Sequence, residues 1–235
     1  MICVPTGCTQ VERRAVMDAT LSAGAKVVYL IEEPLASAIG AKIPIAQASG
    51  HMIVDIGGGS TEAAVISLGG VVVHKSARVA GNKIDEAIAQ FVKKTYNLII
   101  GERMAETIKI TIGTAVEDEQ RTVEVRGRDA VSGLPRMITI TSREVVTASM
   151  PVLNQIISCV KSALEDTPPE LAADIIDKGI IMAGGTSLLR NMDKLMTQVT
   201  GVVCHVADDP LLCVVRGTGV ALENIELYKR SVSKK

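Results

Sequence analysis

The stretch "MIVDIGGGSTEAAVISLGGVVVHKSA", residues 52–77, places an acid, three glycines and two hydroxyl residues at the end of an apolar run. Asp55 closes the run, and Gly57, Gly58, Gly59, Ser60 and Thr61 follow. Glycines let a backbone turn tightly and leave amide N–H groups uncovered, a concavity suited to phosphate oxygens. An acid beside such a turn can hold magnesium through the ion's water shell. A dinucleotide-binding fingerprint would need a helix after the turn. Here "EAAVISL" alternates with period two and meets a second turn at Gly69–Gly70, so the chain returns as a strand. No G-x4-G-K-[ST] loop occurs anywhere. What remains is a β-hairpin with a glycine tip. An ordinary tight hairpin uses glycine in the same way, so the tip alone leaves both readings open.

Two further stretches could do chemistry. In "LIEEPLASAIG" the acids Glu32 and Glu33 stand between an apolar strand and a helix N-terminus, where the helix dipole favours negative charge. Helix capping alone accounts for them equally well. In "IMAGGTSLL" the residues Gly184, Gly185 and Thr186 form a turn that can bring a flat ring or a ribose close to backbone. A plain strand–helix connection accounts for that as well. The weight comes from all three features sharing one chain.

The elements that must position them follow from the pattern. "MICVP" reads as a short buried strand, 10–23 as a helix, "KVVYLI" as a second strand, and "EEPLASAIGAK" as a helix with Pro34 in its first turn. That alternation implies parallel pairing. Residues 51–79 read as three antiparallel strands, and 84–94 as an amphipathic helix. "GERMAETIKITIG" is a further helix; "TVEVRGR" and "MITITS" are strands of a small sheet. A long helix covers about 143–164, with Met150–Pro151 a kink or boundary. "EDTPPELAADI" is a polar, proline-rich corner. "GIIMAGGTSLLRNMDKL" is strand, turn and helix; "GVVCHV" is a strand, and "RGTGVALENI" enters a last helix before the frayed basic tail "KRSVSKK". The class is mixed α/β.

Composition narrows the function. The 235 residues carry a net charge of −1 and 2% aromatics with no Trp, which argues against nucleic acid as a partner. No apolar run approaches the roughly 18 residues of a membrane span, and the N-terminus lacks the pattern of a secretory signal. Five scattered cysteines without a C-x-x-C pair read as reduced thiols of a cytoplasmic protein.

Together, "DIGGGST" and "EAAVISLG", preceded by "IEEPLASAIG" and followed by "IGERMAE", "TPPEL" and "GGTSLL", resemble the MreB family. These are bacterial actin-like proteins of the actin, Hsp70 and sugar-kinase ATPase superfamily, in which phosphate loops are hairpin tips. The resemblance implies an actin-like (ribonuclease H-like) α/β fold of mixed sheets flanked by helices. It implies subdomain IIA at 47–82 and 144–217, IIB at 83–143, and a remnant of IA at 1–46 and 218–235. Family members begin with another hairpin carrying a D-[FL]-G-T phosphate loop and a small inserted subdomain. Neither is present in this sequence, so the first large subdomain is expected to be incomplete. By the same resemblance the ligands are ATP and Mg2+. Asp55 is the magnesium-side acid, Gly57–Thr61 the second phosphate loop, and Glu32 the residue that orients the attacking water, with Glu33 second to it. Gly184, Gly185 and Thr186 match the adenosine motif, and Glu106 and Lys109 the acid and base that touch ribose and adenine, with Glu102 a further candidate. An exposed i,i+3 ion pair of a few tenths of a kcal/mol is the plainer reading of Glu106 and Lys109. The implied function is an ATP-binding filament, with itself as partner, that organises cell-wall synthesis and maintains rod shape. It would dock on the inner membrane and on a helix-turn-helix anchor protein through the "TPPEL" corner of IIA. The alternatives are a non-catalytic structural or anchor-binding module, and another ATPase or kinase of the superfamily.

Overall fold

The computed structural model describes residues 1–229 and 232–234. Three sheets organise it. The largest has five strands in the order β10-β9-β3-β4-β5: β3 (His51–Ile56), β4 (Thr61–Ser67), β5 (Gly70–Ala77), β9 (Ile180–Ala183) and β10 (Cys204–Val206). β3, β4 and β5 form the expected antiparallel meander, while β9 runs parallel to both β3 and β10. All six residues of β3 are buried, which explains why "HMIVDI" is a nearly unbroken apolar run.

The first sheet pairs β1 (Ile2–Val4) in parallel with β2 (Tyr29–Glu32), linked by α1 (Gln10–Ser22). α1 opens with Thr9 and Glu12 exchanging hydrogen bonds in a capping box. The third sheet is antiparallel, built from β6 (Leu98–Ile99), β7 (Thr122–Asp129) and β8 (Pro135–Thr141). Helix α3 (Gly81–Tyr96) buries Ile84, Ile88 and Val92, and α4 (Glu102–Ile112) buries Ala105, Ile108 and Ile112. Both join one core with α5 (Ser142–Glu165) and the main sheet.

Three expectations are corrected. α5 runs uninterrupted through Pro151, because buried Val152, Leu153, Ile156 and Ile157 anchor the following turns against the core. The proline costs one backbone bond without ending the helix. The corner "EDTPPELAADI" contains α6 (Pro169–Lys178), whose proline sits in the first turn, where no N–H is needed, and whose Ile175 is buried. Within the basic tail, Ser233–Lys234 pair antiparallel with β2 as β11. The expected fraying at Arg230, Ser231 and Lys235 lies outside the described residues.

A second core lies on the other face of the main sheet, where α2 (Glu33–Gly40) packs on α8 (Cys213–Glu223). The two helices approach until backbone touches backbone. A Cβ on Gly217 would overlap the carbonyl of Ala36, and one on Gly40 the carbonyl of Cys213. Because α2 begins at the acid pair, this crossing sets where Glu33 stands. Gly217→Ala is therefore expected to lose about 1–3 kcal/mol, the usual cost of overpacking a filled interface. The urea midpoint measures it; an unchanged midpoint would mean the helices can separate freely.

Candidate functional site

The tip of the β3–β4 hairpin is held by its carbonyls. The Gly57 N–H donates to the Ser60 carbonyl at 3.0 Å and closes the turn. The Gly57 carbonyl accepts from the Gly81 N–H at 3.2 Å and from the Thr186 hydroxyl at 2.7 Å. The Gly58 carbonyl accepts from the Asn82 N–H at 2.8 Å. The first N–H groups of α3, left over by helix geometry, are thus used on the hairpin. Among the described residues no acceptor faces the amides of Gly58, Gly59 and Ser60. That is the donor set an anion needs.

Thr61 does not add to it. Its side chain is fully buried and its hydroxyl donates to the Val79 carbonyl at 2.7 Å, tying the base of the hairpin to the start of α3.

Gly184 follows β9 with φ +83°, a conformation that side-chain-bearing residues rarely adopt. A Cβ there would overlap the Ile56 carbonyl and lie 2.6 Å from Asp55 Oδ1. Gly185 and Thr186 continue into a short 3-10 turn instead of a helix, and the helix proper, α7 (Met192–Thr200), starts later. The turn brings Thr186 to Gly57, 129 residues away. A cleft of about 640 Å³ opens between this turn, the hairpin tip and α4. Gly57, Gly58, Gly185, Thr186, Glu106 and Lys109 line it, so both glycine motifs and the helix pair meet in one cavity. Ile110, Leu188, Leu189 and Leu211 supply an apolar wall. Its volume falls within the range of small-molecule sites. Gly59, Ser60 and Glu102 do not line this cleft; Glu102 lies exposed in the first turn of α4.

Lys109 does not pair with Glu106. Its ammonium lies 2.8 Å from Asp85 and 3.2 Å from the Gly81 carbonyl, with both ionic side chains only 14% exposed. Asp85 was not legible as a site residue, because its partner lies 24 positions away on another helix.

Asp55 sits next to the last residue of β3, nearly buried, and accepts from the Ser37 hydroxyl at 2.7 Å. Burial pushes its carboxyl above the usual range; the Ser37 hydrogen bond opposes this, and Glu62 adds to it. Glu62 is its cross-strand partner in register, 2% exposed, and accepts from the Ser76 hydroxyl and the Thr6 N–H. Glu33, the first residue of α2, is pushed up by burial and then by Glu62 and Asp55. Glu32 stands apart from these three, with its carboxylate 2.8 Å from the Arg13 guanidinium. Among the described residues no group of three or more His, Cys, Asp or Glu side chains is arranged to ligate a metal directly. This donor set suits a magnesium ion kept in its water shell, which needs carboxylates nearby and little direct ligation. Glu62 and Ser37 were missed in the sequence, although the period-two pairing of β4 with β3 places Glu62 opposite Asp55.

The chain is similar to known proteins over nearly its whole length. The family model described as MreB/Mbl protein matches residues 1–230. A cell shape-determining protein MreB from Pasteurella multocida is 51% identical over 97% of this chain and 66% of its own length. The cell shape-determining protein Mbl of Bacillus subtilis is 48% identical over 99% of this chain and 71% of its own. Among solved structures, MreB5 of Spiroplasma citri bound to AMPPNP superposes with a TM-score of 0.92 at 40% identity, covering 95% of this chain and 68% of that one. The chain spans 66% of the length of the Pasteurella relative. On this match in sequence and fold, the chain belongs to the MreB/Mbl family of actin-like proteins.

Proposed function

We propose that this chain carries most of the nucleotide site of an actin-like, filament-forming ATPase that acts in cell-shape determination. The observation that carries the reading is the hairpin tip. Among the described residues the amides of Gly58, Gly59 and Ser60 have no acceptor, and Gly58 lines a cleft whose other walls suit a ribose and a flat base. The Spiroplasma relative binds AMPPNP and, in a second structure, ADP. The amides of Gly58, Gly59 and Ser60 would hold phosphate oxygens, with Gly185, Thr186, Glu106 and Lys109 toward the nucleoside. Asp55 would hold Mg2+ through water, and that ion would offset phosphate charge. Subdomain IIA would then comprise 47–82 and 144–217, IIB 83–143, and the remainder IA.

Phosphoryl transfer to water needs mainly positioning and charge stabilisation. Of the two acids at the start of α2, Glu33 is the better placed to orient water. Its carboxyl is half-buried and senses Asp55, whereas Glu32 is engaged by Arg13. Filaments would form from copies of this chain, hydrolysis would alter their stability, and they would direct peptidoglycan synthesis at the inner membrane. α6 presents exposed Ile176 between the acids Glu170 and Asp177, which supports the expected docking of a membrane-anchor protein there.

Two outcomes test this reading. Glu33→Gln is expected to slow phosphate release at saturating MgATP by about 10²-fold or more while leaving affinity intact, as loss of a positioned general base does; Glu32→Gln leaves turnover near wild type. The reverse order would return the role to Glu32. For Asp55 the signs of stability and function oppose each other. A carboxyl whose pKa is raised on folding contributes stability only when protonated, and that contribution is lost as pH rises through its folded value. Asp55→Asn is therefore expected to raise the thermal midpoint of the nucleotide-free protein at pH 7. Calorimetry should show it weakening MgATP binding by about tenfold or more, the worth of a contact to a charged group. Unchanged affinity would remove Asp55 from the magnesium site.

A further inference from the structure

We infer that Asp85 is a positioning residue for the nucleotide, acting through Lys109. This rests on the proposal that the cleft is the nucleotide site. A lysine ammonium has three N–H groups and no acceptor. One is directed at Asp85 Oδ2 at 2.8 Å and a second at the Gly81 carbonyl at 3.2 Å. Two fixed contacts define the direction of the third, and Lys109 lines the cleft. Without Asp85 the four-carbon stem would be free to carry the charge elsewhere, because the Gly81 carbonyl alone does not fix a rotating ammonium.

The backbone of Gly81 extends the effect. Its carbonyl accepts from Lys109, while its N–H donates to the Gly57 carbonyl at the hairpin tip. Lys109 is thereby two hydrogen bonds from the phosphate-binding turn. Among the described residues the second oxygen of Asp85, Oδ1, is buried without a hydrogen-bond partner. A carboxylate half-satisfied in this way is costly unless its one ion pair is made. The pair therefore stays together in the empty site, and Lys109 meets the ligand already oriented. Asp85 itself does not line the cleft; Lys109, which it holds, does.

The test uses the complete chain with Asp85→Asn, Asp85→Glu, Lys109→Met and the double variant Asp85→Asn/Lys109→Met. MgATP affinity is measured by calorimetry, alongside competitive acetylation of Lys109 with and without nucleotide. Asp85→Asn is expected to weaken binding several-fold and Asp85→Glu to recover part of the loss. The double variant should be no weaker than Lys109→Met alone, as residues acting through one contact are non-additive. Nucleotide should protect Lys109 from acetylation in the parent chain and protect it less in Asp85→Asn. A role confined to stability would shift the thermal midpoint without changing that protection. Affinity and protection both unchanged in Asp85→Asn, with the parent binding normally, would overturn the inference alone; so would losses that add fully in the double variant. A folded parent that binds no nucleotide would overturn the functional reading, and the inference with it.

Discussion

Two donors converge on the Gly57 carbonyl, the α3 N-terminal amide of Gly81 and the hydroxyl of Thr186. The site depends on that convergence. Individually such bonds contribute about 1 kcal/mol each, so their importance is geometric. They turn the carbonyls of the hairpin inward, which leaves the amides of the tip facing out. They also tie together three segments distant in the chain: the hairpin, the start of α3, and the glycine turn after β9. Gly184 permits the last of these, since a side chain there would strike the Ile56 carbonyl and the Asp55 carboxylate.

A cost sits beside this clamp. Asp55 and Glu62 are buried beside the half-buried Glu33, and Asp55 and Glu33 are held above their usual carboxyl range by burial and by the neighbouring acids. Three nearby hydroxyl and amide donors, from Ser37, Ser76 and Thr6, relieve part of the repulsion. A core selected only for stability would not gather carboxylates there. Such a gathering of carboxylates beside the hairpin tip is what the proposed site would use, because a hydrated cation and phosphates would balance their charge.

Much of this was legible in the residues. "DIGGGSTEAAVISLGG" announces a hairpin because alternation, glycine tip and second turn all require the chain to reverse, and β3–β4–β5 follow that pattern. The family resemblance rests on the same residues. Long-range pairings were less accessible. The i,i+3 rule joins Glu106 to Lys109 on one helix, but a part-buried aspartate on the facing helix takes the lysine instead. Thr61 looked like a phosphate donor by its place in the motif, and strand alternation turned it toward Val79. Prolines misled in both directions. Pro169 begins a helix where composition read a corner, and Pro151 sits inside one that packing carries through. In each case local propensity competed with burial, and burial decided.

The most direct measurement is residue-resolved amide exchange or chemical shift at the hairpin tip, recorded as a non-hydrolysable nucleoside triphosphate with magnesium is added. If the clamp on Gly57 exists to present the tip amides, those of Gly58, Gly59 and Ser60 will show the largest changes and exchange more slowly on saturation. Binding that leaves these three amides unchanged while perturbing another surface would contradict the account.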